Sequence, residues 1–206
     1  MKKLLILGAG AGGTMIATKM RKLLSEREWE ITIIDRDPVH HYQPGWLLVP
    51  FGVDTPQGCV RPKKDFISRG VNFVLDTITA VDPIQRKVEC KNSSHTYDWV
   101  VVASGARIAP DEVPGLLDDW GGKIHNFYTH DGAAALYGKM KHFKKGRLVL
   151  HICETPIKCP VAPLEFVYMA DWYLQKMGVR QNVEIELVTP LTGAFTKPVA
   201  NNILGA

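Results

Sequence analysis

Two rhythms of apolar residues occupy the first 35 positions of the chain. Residues 3–7 are a short apolar run stopped by Gly8, the pattern of a parallel strand buried on both faces. Residues 14–26 carry Met15, Ile16, Met20, Leu23 and Leu24 at helical spacing, and residues 30–34 are a β-branched run closed by Asp35. Strand, glycine turn, helix and strand in so short a stretch predict a βαβ unit with parallel strands.

Residues 40–62 show little periodicity and are rich in aromatic residues and proline. A loop of that length in a compact domain points to function rather than passive connection. Further strands are predicted over 71–75, 77–81, 87–90 and 96–103, with Asp82-Pro83 marking a turn. A loop holding Pro110, Pro114 and Gly115 leads to a helix over 130–143, where His130 and Asp131 cap or precede the first turn. At Arg147 the opening pattern returns, with a strand over 147–152, a helix over 162–177 and a strand over 183–188. The expected fold class is therefore α/β: a Rossmann-like dinucleotide-binding domain over 1–107, a connecting segment over 108–145, and an incomplete second Rossmann-like βαβ unit over 146–206.

Composition narrows this little. The 206 residues are 46% hydrophobic and 22% charged, the balance of an ordinary globular protein. Net charge is +4 with a pI near 8.8. Lys139 to Arg147 gathers five basic residues, read as a solvated helix end with peripheral contact to anionic lipid as the alternative; no tract has the character of a nucleic-acid site. Cys59, Cys90, Cys153 and Cys159 form neither a CxxC nor a metal-ligand spacing, so no metal and no secreted disulfide framework are expected. The apolar start after Met1-Lys2-Lys3 is too short and too soon broken by glycine for a signal peptide. No apolar run approaches transmembrane length, and a cytoplasmic location is expected.

The chemistry begins at Gly8-Ala9-Gly10-Ala11-Gly12-Gly13, a GxGxxG between strand and helix. Gly8 allows the tight turn, Gly10 the approach of backbone to a pyrophosphate, and Gly13 close helix–strand packing; Gly12 and Ala9 complete the turn. The helix start offers N–H groups and a positive dipole to the phosphates. Asp35 lies 22 residues past Gly13, where a carboxylate can accept from a ribose hydroxyl. This fingerprint does not separate FAD from NAD. A second stretch does: the apolar strand from Asp98 ends in Ala103-Ser104-Gly105-Ala106, similar to the second flavin-associated motif of two-dinucleotide-domain flavoproteins. Small residues there let backbone pass close to a cofactor. FAD is the expected cofactor, with Ala103, Ser104 and Gly105 among its contacts.

Two further segments, His40-His41-Tyr42-Gln43-Pro44-Gly45-Trp46 and Thr155-Pro156-Ile157-Lys158-Cys159-Pro160-Val161-Ala162-Pro163, together resemble the sulfide:quinone oxidoreductases. In that family a segment like the first lies beside the flavin and a turn like the second carries a redox cysteine. The resemblance runs from Gly8 to Phe195 and implies that Cys159 is one of two cysteines that process sulfide against the flavin, with electrons passing on to a quinone. Further candidate flavin contacts are Arg36, Gln43, Pro44 and Ile78. The residues agree independently about Cys159: it precedes a helix whose dipole favours a thiolate, Lys158 adds positive charge, and Pro160 and Pro163 suit a first helical turn. The stretch from Cys153 to Pro163 has no glycine to cradle a second pyrophosphate, which argues against a nicotinamide.

The other cysteines read as bystanders: Cys153 as core at a strand end, Cys59 as a surface thiol with no evident partner, Cys90 as structural. Glu165 either relays protons near Cys159 or is an exposed helix carboxylate. Tyr128 stands in the region where some family members carry a further cysteine. The family's partner cysteine, a later flavin contact and quinone-binding amphipathic helices are expected in a C-terminal half that this sequence does not include. Three readings follow: a sulfide:quinone oxidoreductase, in the full-length family a peripheral membrane protein; a non-catalytic FAD-binding fragment or half of a split enzyme; or an NADH:quinone oxidoreductase. Uncovered apolar surface also makes a homo-oligomer the expected state.

Overall fold

The computed structural model of the chain describes residues 1–204. The chain forms two compact units: one from Met1–Tyr42 with Val60–Ile108, the other from Gln43–Cys59 with the chain from Ala109 onward.

The first unit opens with β1 (Lys2–Leu7), α1 (Ala11–Leu23) and β2 (Trp29–Asp35). The strands pair in parallel, Leu5 opposite Thr32. Side chains alternate across the sheet. Leu4 and Ile6 pack with Ile31, Ile33 and Ala17 of α1, while Leu5 and Leu7 face the other way onto Ile34, Val88 and Tyr97. β1 is therefore apolar at every buried position because both faces are covered. The helix begins at Ala11 rather than Thr14, within the glycine turn itself, and ends at Leu23.

The long loop then leaves through β3 (Val39–His41) and returns through β4 (Val60–Pro62), an antiparallel pair with His40 opposite Arg61. β5 (Asn72–Leu75) adds to β2. β6 (Ile78–Asp82), β7 (Lys87–Cys90) and β8 (Ser94–Thr96) make an antiparallel meander whose Val88 belongs to the Leu5–Leu7 side of the core. The strand expected over 96–103 is in fact two. β8 ends at Thr96, and β9 (Trp99–Val102) pairs in parallel with β1, giving the order β5-β2-β1-β9. The break comes at Tyr97, which turns into the core, and Asp98, whose carboxylate accepts the Lys3 N–H at 2.7 Å.

In the second unit, residues 43–51 form two short 3-10 turns. They belong here rather than with residues 1–107 because Trp46, Val49, Phe51 and Cys59 bury against Phe127, Ala133 and Phe166. Phe166 stacks on Phe127 at 4.7 Å between ring centroids and lies 5.0 Å from Phe51. The same cluster takes residues 109–145, expected to be a connecting segment, into this unit. α2 (His130–Met140) starts from Thr129, whose hydroxyl accepts the Gly132 N–H at 3.0 Å; His130 and Asp131 are its first residues, not its cap. β10 (Gly146–His151), α3 (Ala162–Lys176) and β11 (Val183–Val188) form the second βαβ, with β10 and β11 parallel, and α4 (Pro198–Leu204) follows. Among the described residues no helix is long and apolar enough to cross a membrane.

Ile6 is 0% exposed and Leu23 is 67% exposed, although both are strong apolar signals in sequence. Urea unfolding should show Ile6→Ala losing roughly 2–5 kcal/mol, and Leu23→Ala staying within about 0.5 kcal/mol of the parent.

Candidate functional site

The glycine turn is defined by two contacts too close for any side chain. Gly8 has a left-handed φ of +100°, and a Cβ there would lie 2.4 Å from the Ala103 carbonyl oxygen. Residues 103 and 104 run directly over Gly8, and the Ala103 N–H donates to the Leu7 carbonyl at 2.8 Å. The two small-residue motifs are thus in contact. A Cβ on Gly13 would fall 1.9 Å from the Gly8 oxygen, so only glycine lets α1 start this near β1.

Gly10, Gly12 and Gly105 are different. A Cβ on any of them would meet nothing within 4 Å; they border open space. Gly10 begins α1 with no side-chain cap. Gly10, Ala11 and Gly12 are exposed, as are Ser104 and Gly105, whereas Ala9 is buried. An open rim of small residues over an uncapped helix start fits the pyrophosphate of a dinucleotide.

Asp35 closes β2 beside this turn. Its Oδ2 accepts the Ala9 N–H at 2.7 Å and lies 2.9 Å from Lys63 Nζ; its Oδ1 accepts the Asp37 N–H at 2.9 Å. Burial works to raise the Asp35 pKa, but the Asp37 N–H, Lys63 and the Ala9 N–H outweigh it and hold the carboxyl below the usual carboxylate range. Lys63 is a site residue that sequence reasoning missed. It lies 28 positions beyond Asp35, just past the aperiodic loop, and no spacing rule links the two. His40 is brought close as well, its ring 4.3 Å from Phe66. Burial, then the charges of Lys63 and His41, pull its pKa down against an opposing hydrogen bond with the Ala9 backbone. Of the remaining candidates in this unit, Arg36 is exposed, and Ile78 opens β6 and packs against the Leu5–Leu7 cluster. Gln43 and Pro44 are exposed at the start of the second unit.

In that second unit, β10 and α3 are joined by a segment that contains Cys159. Cys159 is exposed with a left-handed φ of +52°, uncommon for a side-chain-bearing residue. Its carbonyl accepts the Tyr128 O–H at 3.3 Å and the Ala162 N–H at 3.1 Å. The Tyr128 phenol is pushed up to about 12 by burial and by negative charge at Cys159 and Glu165. The Lys158 ammonium lies 5.4 Å from the centroid of the Trp46 ring. Burial lowers its pKa and the neighbouring Cys159 charge works the other way. Pro163 falls in the first turn of α3, but Pro160 precedes the helix, because α3 starts only at Ala162. Glu165 is exposed in that first turn.

Two cysteine expectations are corrected. Cys153 is exposed, not core: β10 ends at His151, and Ile152 takes the buried position. Cys59 is buried, not a surface thiol, because the 3-10 turns fold its loop into the Phe166 cluster. Its Sγ lies 3.6 Å from Asp54 Oδ2, and burial and that carboxylate raise its pKa. Cys90 is half-buried within β7.

The family model of the pyridine nucleotide-disulphide oxidoreductases matches residues 2–148. The mitochondrial sulfide:quinone oxidoreductase of Dictyostelium discoideum is 30% identical over 200 residues, covering 96% of this chain and 44% of that protein. A type II NADH:quinone oxidoreductase of Staphylococcus aureus is 35% identical over 119 residues, 57% of this chain and 29% of that protein. The X-ray structure of the sulfide:quinone oxidoreductase of Aquifex aeolicus shares the fold, with a TM-score of 0.80 at 21% identity over 99% of this chain and 48% of that one. The resemblance read from the motifs is thus shown, and the chain spans less than half the length of these relatives.

Two outcomes are expected at the cradle. Gly13→Ala should destabilise by about 1–3 kcal/mol through overpacking; Gly10→Ala should unfold within about 0.5 kcal/mol of the parent yet bind dinucleotide more weakly, as read by parallel thermal and titration measurements. Asp35 titrates lower when folded than unfolded, so its stabilisation is full at neutral pH and lost as pH falls from the ordinary carboxylate range through the lowered folded value. Asp35→Asn should therefore lower Tm at neutral pH and flatten the fall in Tm below about pH 5.

Proposed function

This chain belongs to the pyridine nucleotide-disulphide oxidoreductase family and takes FAD as its cofactor, and on that premise we propose that it is the flavin-binding part of a sulfide:quinone oxidoreductase. The observation that carries this reading is the segment between β10 and α3. It presents an exposed cysteine at a left-handed turn ahead of the helix, where a nucleotide-binding relative would need a glycine cradle.

Cys159 is the nucleophile of the proposal. The sulfur lies ahead of the α3 N-terminus with Lys158 next in sequence, and once deprotonated it forms an S–S bond with the sulfur of hydrosulfide. One proton and one electron pair leave as that bond forms. FAD supplies the two-electron acceptor between sulfur and quinone. Gly8, Ala9, Gly10, Gly12 and Gly13 hold the pyrophosphate, Asp35 takes a ribose hydroxyl, and Ala103, Ser104 and Gly105 let backbone pass close to the cofactor. Arg36, Gln43, Pro44 and Ile78 belong to the same proposed contact set. Sulfide as donor, a quinone as acceptor, peripheral contact with a membrane surface, a cytoplasmic site and self-association are parts of this one reading.

A second reading, NADH:quinone oxidoreduction, is favoured by the 35% identity to the Staphylococcus aureus protein over 57% of the chain. The absence of glycine from Cys153 to Pro163 weighs against it.

Anaerobic addition of sulfide to the FAD-loaded chain should bleach the flavin absorbance, and Cys159→Ala should slow that bleaching by about 100-fold or more, as loss of a nucleophile does. NADH should leave the spectrum unchanged. Equal bleaching by sulfide with and without Cys159, or bleaching by NADH alone, would end the sulfide assignment.

A further inference from the structure

We propose that Lys63 is a positioning residue for the cofactor: its buried ammonium pins Asp35 to the glycine turn and cancels the carboxylate's charge there, so that the turn accepts an anionic pyrophosphate. This rests on FAD as the cofactor and is independent of the sulfur chemistry.

The geometry is closed on every side. Lys63 has a side chain only 6% exposed and its Nζ lies 2.9 Å from Asp35 Oδ2. That same oxygen accepts the N–H of Ala9, the second residue of the GxGxxG turn, at 2.7 Å. The carboxylate thus touches the very loop that has to receive phosphate. Alone, it would place a half-buried negative charge against that loop, which is costly to desolvate and repels an anion. The Lys63 ammonium removes both objections at once. The remaining oxygen accepts the Asp37 N–H, and a carboxylate oxygen has a second lone pair for a hydroxyl donor.

The long loop is shaped to deliver this lysine. β3 and β4 pair Val39 with Pro62, and the Lys63 N–H donates to the Pro38 carbonyl at 2.7 Å. Lys63 is thereby carried back beside the end of β2. The other titratable groups around Asp35 are few. Asp37 Oδ2 lies 3.4 Å from His41 Nε2. His40 senses the Lys63 charge and is held toward its neutral form. Asp76, whose N–H donates to the Asp35 carbonyl at 2.9 Å, is itself occupied by Ser93 and Asn92. Arg36 is exposed. Lys63 is the cation in contact with the Asp35 carboxylate among the described residues.

The test is a double-mutant cycle on FAD affinity, read by quenching of flavin fluorescence on titration into the apo chain. Lys63→Met should raise the Kd roughly tenfold, the scale of losing one hydrogen bond to a charged group. In the Asp35→Asn background the same change should alter Kd less than about twofold, because the lysine acts through the carboxylate. Lys63→Met should also move the acid limit of FAD binding up by about one pH unit, since removing the cation leaves burial free to favour the protonated acid. Lys63→Gln keeps a donor without the charge and should show the same pH displacement if the methionine variant does not fold. For the wild-type chain, FAD binding should persist below the usual carboxylate range, a reading that needs no variant. The proposal is overturned by a wild-type chain that takes up no FAD or loses it at or above that range. It is equally overturned by a Kd unmoved in the lysine variants, or by equal losses in both backgrounds, which a general packing defect would give.

Discussion

A contact that excludes every side chain governs the first unit. The Gly13 Cα approaches the Gly8 carbonyl so closely that a methyl group would sit 1.9 Å from the oxygen, and Gly8 in turn lies under the Ala103 carbonyl. These contacts bring α1, β1 and the end of β9 to one point. The rim left over, Gly10, Gly12 and Gly105, has no protein against it. Close packing inside and open space outside are two sides of one constraint. The backbone that lets helix and strands converge is also the backbone that leaves N–H groups uncovered, as a dinucleotide site requires.

Electrostatics then has to match that geometry. The acidic residue that closes β2 touches the turn through the Ala9 N–H, and in the proposal its charge there is offset by Lys63. Lys63 stands directly after β4, the return strand of the long loop, which pairs with its exit strand β3. The loop is accordingly divided between tasks. Its ends belong to the first unit, while residues 43–59 give Trp46, Val49, Phe51 and Cys59 to the core of the other unit.

The parts of this arrangement that were readable in sequence are those governed by local periodicity. β1 is apolar on both faces and β2 nearly so, with Thr32 its buried polar residue; α1 has its helical stripe, and GxGxxG sits where three steric demands meet, so each is visible in a window of a few residues. The rest depends on partners distant in sequence. The pairing of Lys63 with Asp35 spans 28 residues and obeys no spacing rule. Cys59 reads as a loop thiol because the 3-10 turns that bury it are held by tertiary packing, not by propensity. The strand over 96–103 reads as continuous because Thr96, Tyr97 and the run from Trp99 to Val102 are all strand formers; only the separate partners of β8 and β9 reveal the break. Cys153 was misplaced by two residues of strand end, enough to carry it from core to surface.

The most direct test of the cradle is amide hydrogen exchange on the chain with and without FAD. The account predicts that the cofactor slows exchange at Gly10, Ala11 and Gly12 and at Ser104 and Gly105, the exposed small residues that border open space. Unchanged exchange at those amides, with protection appearing elsewhere in the chain, would contradict it.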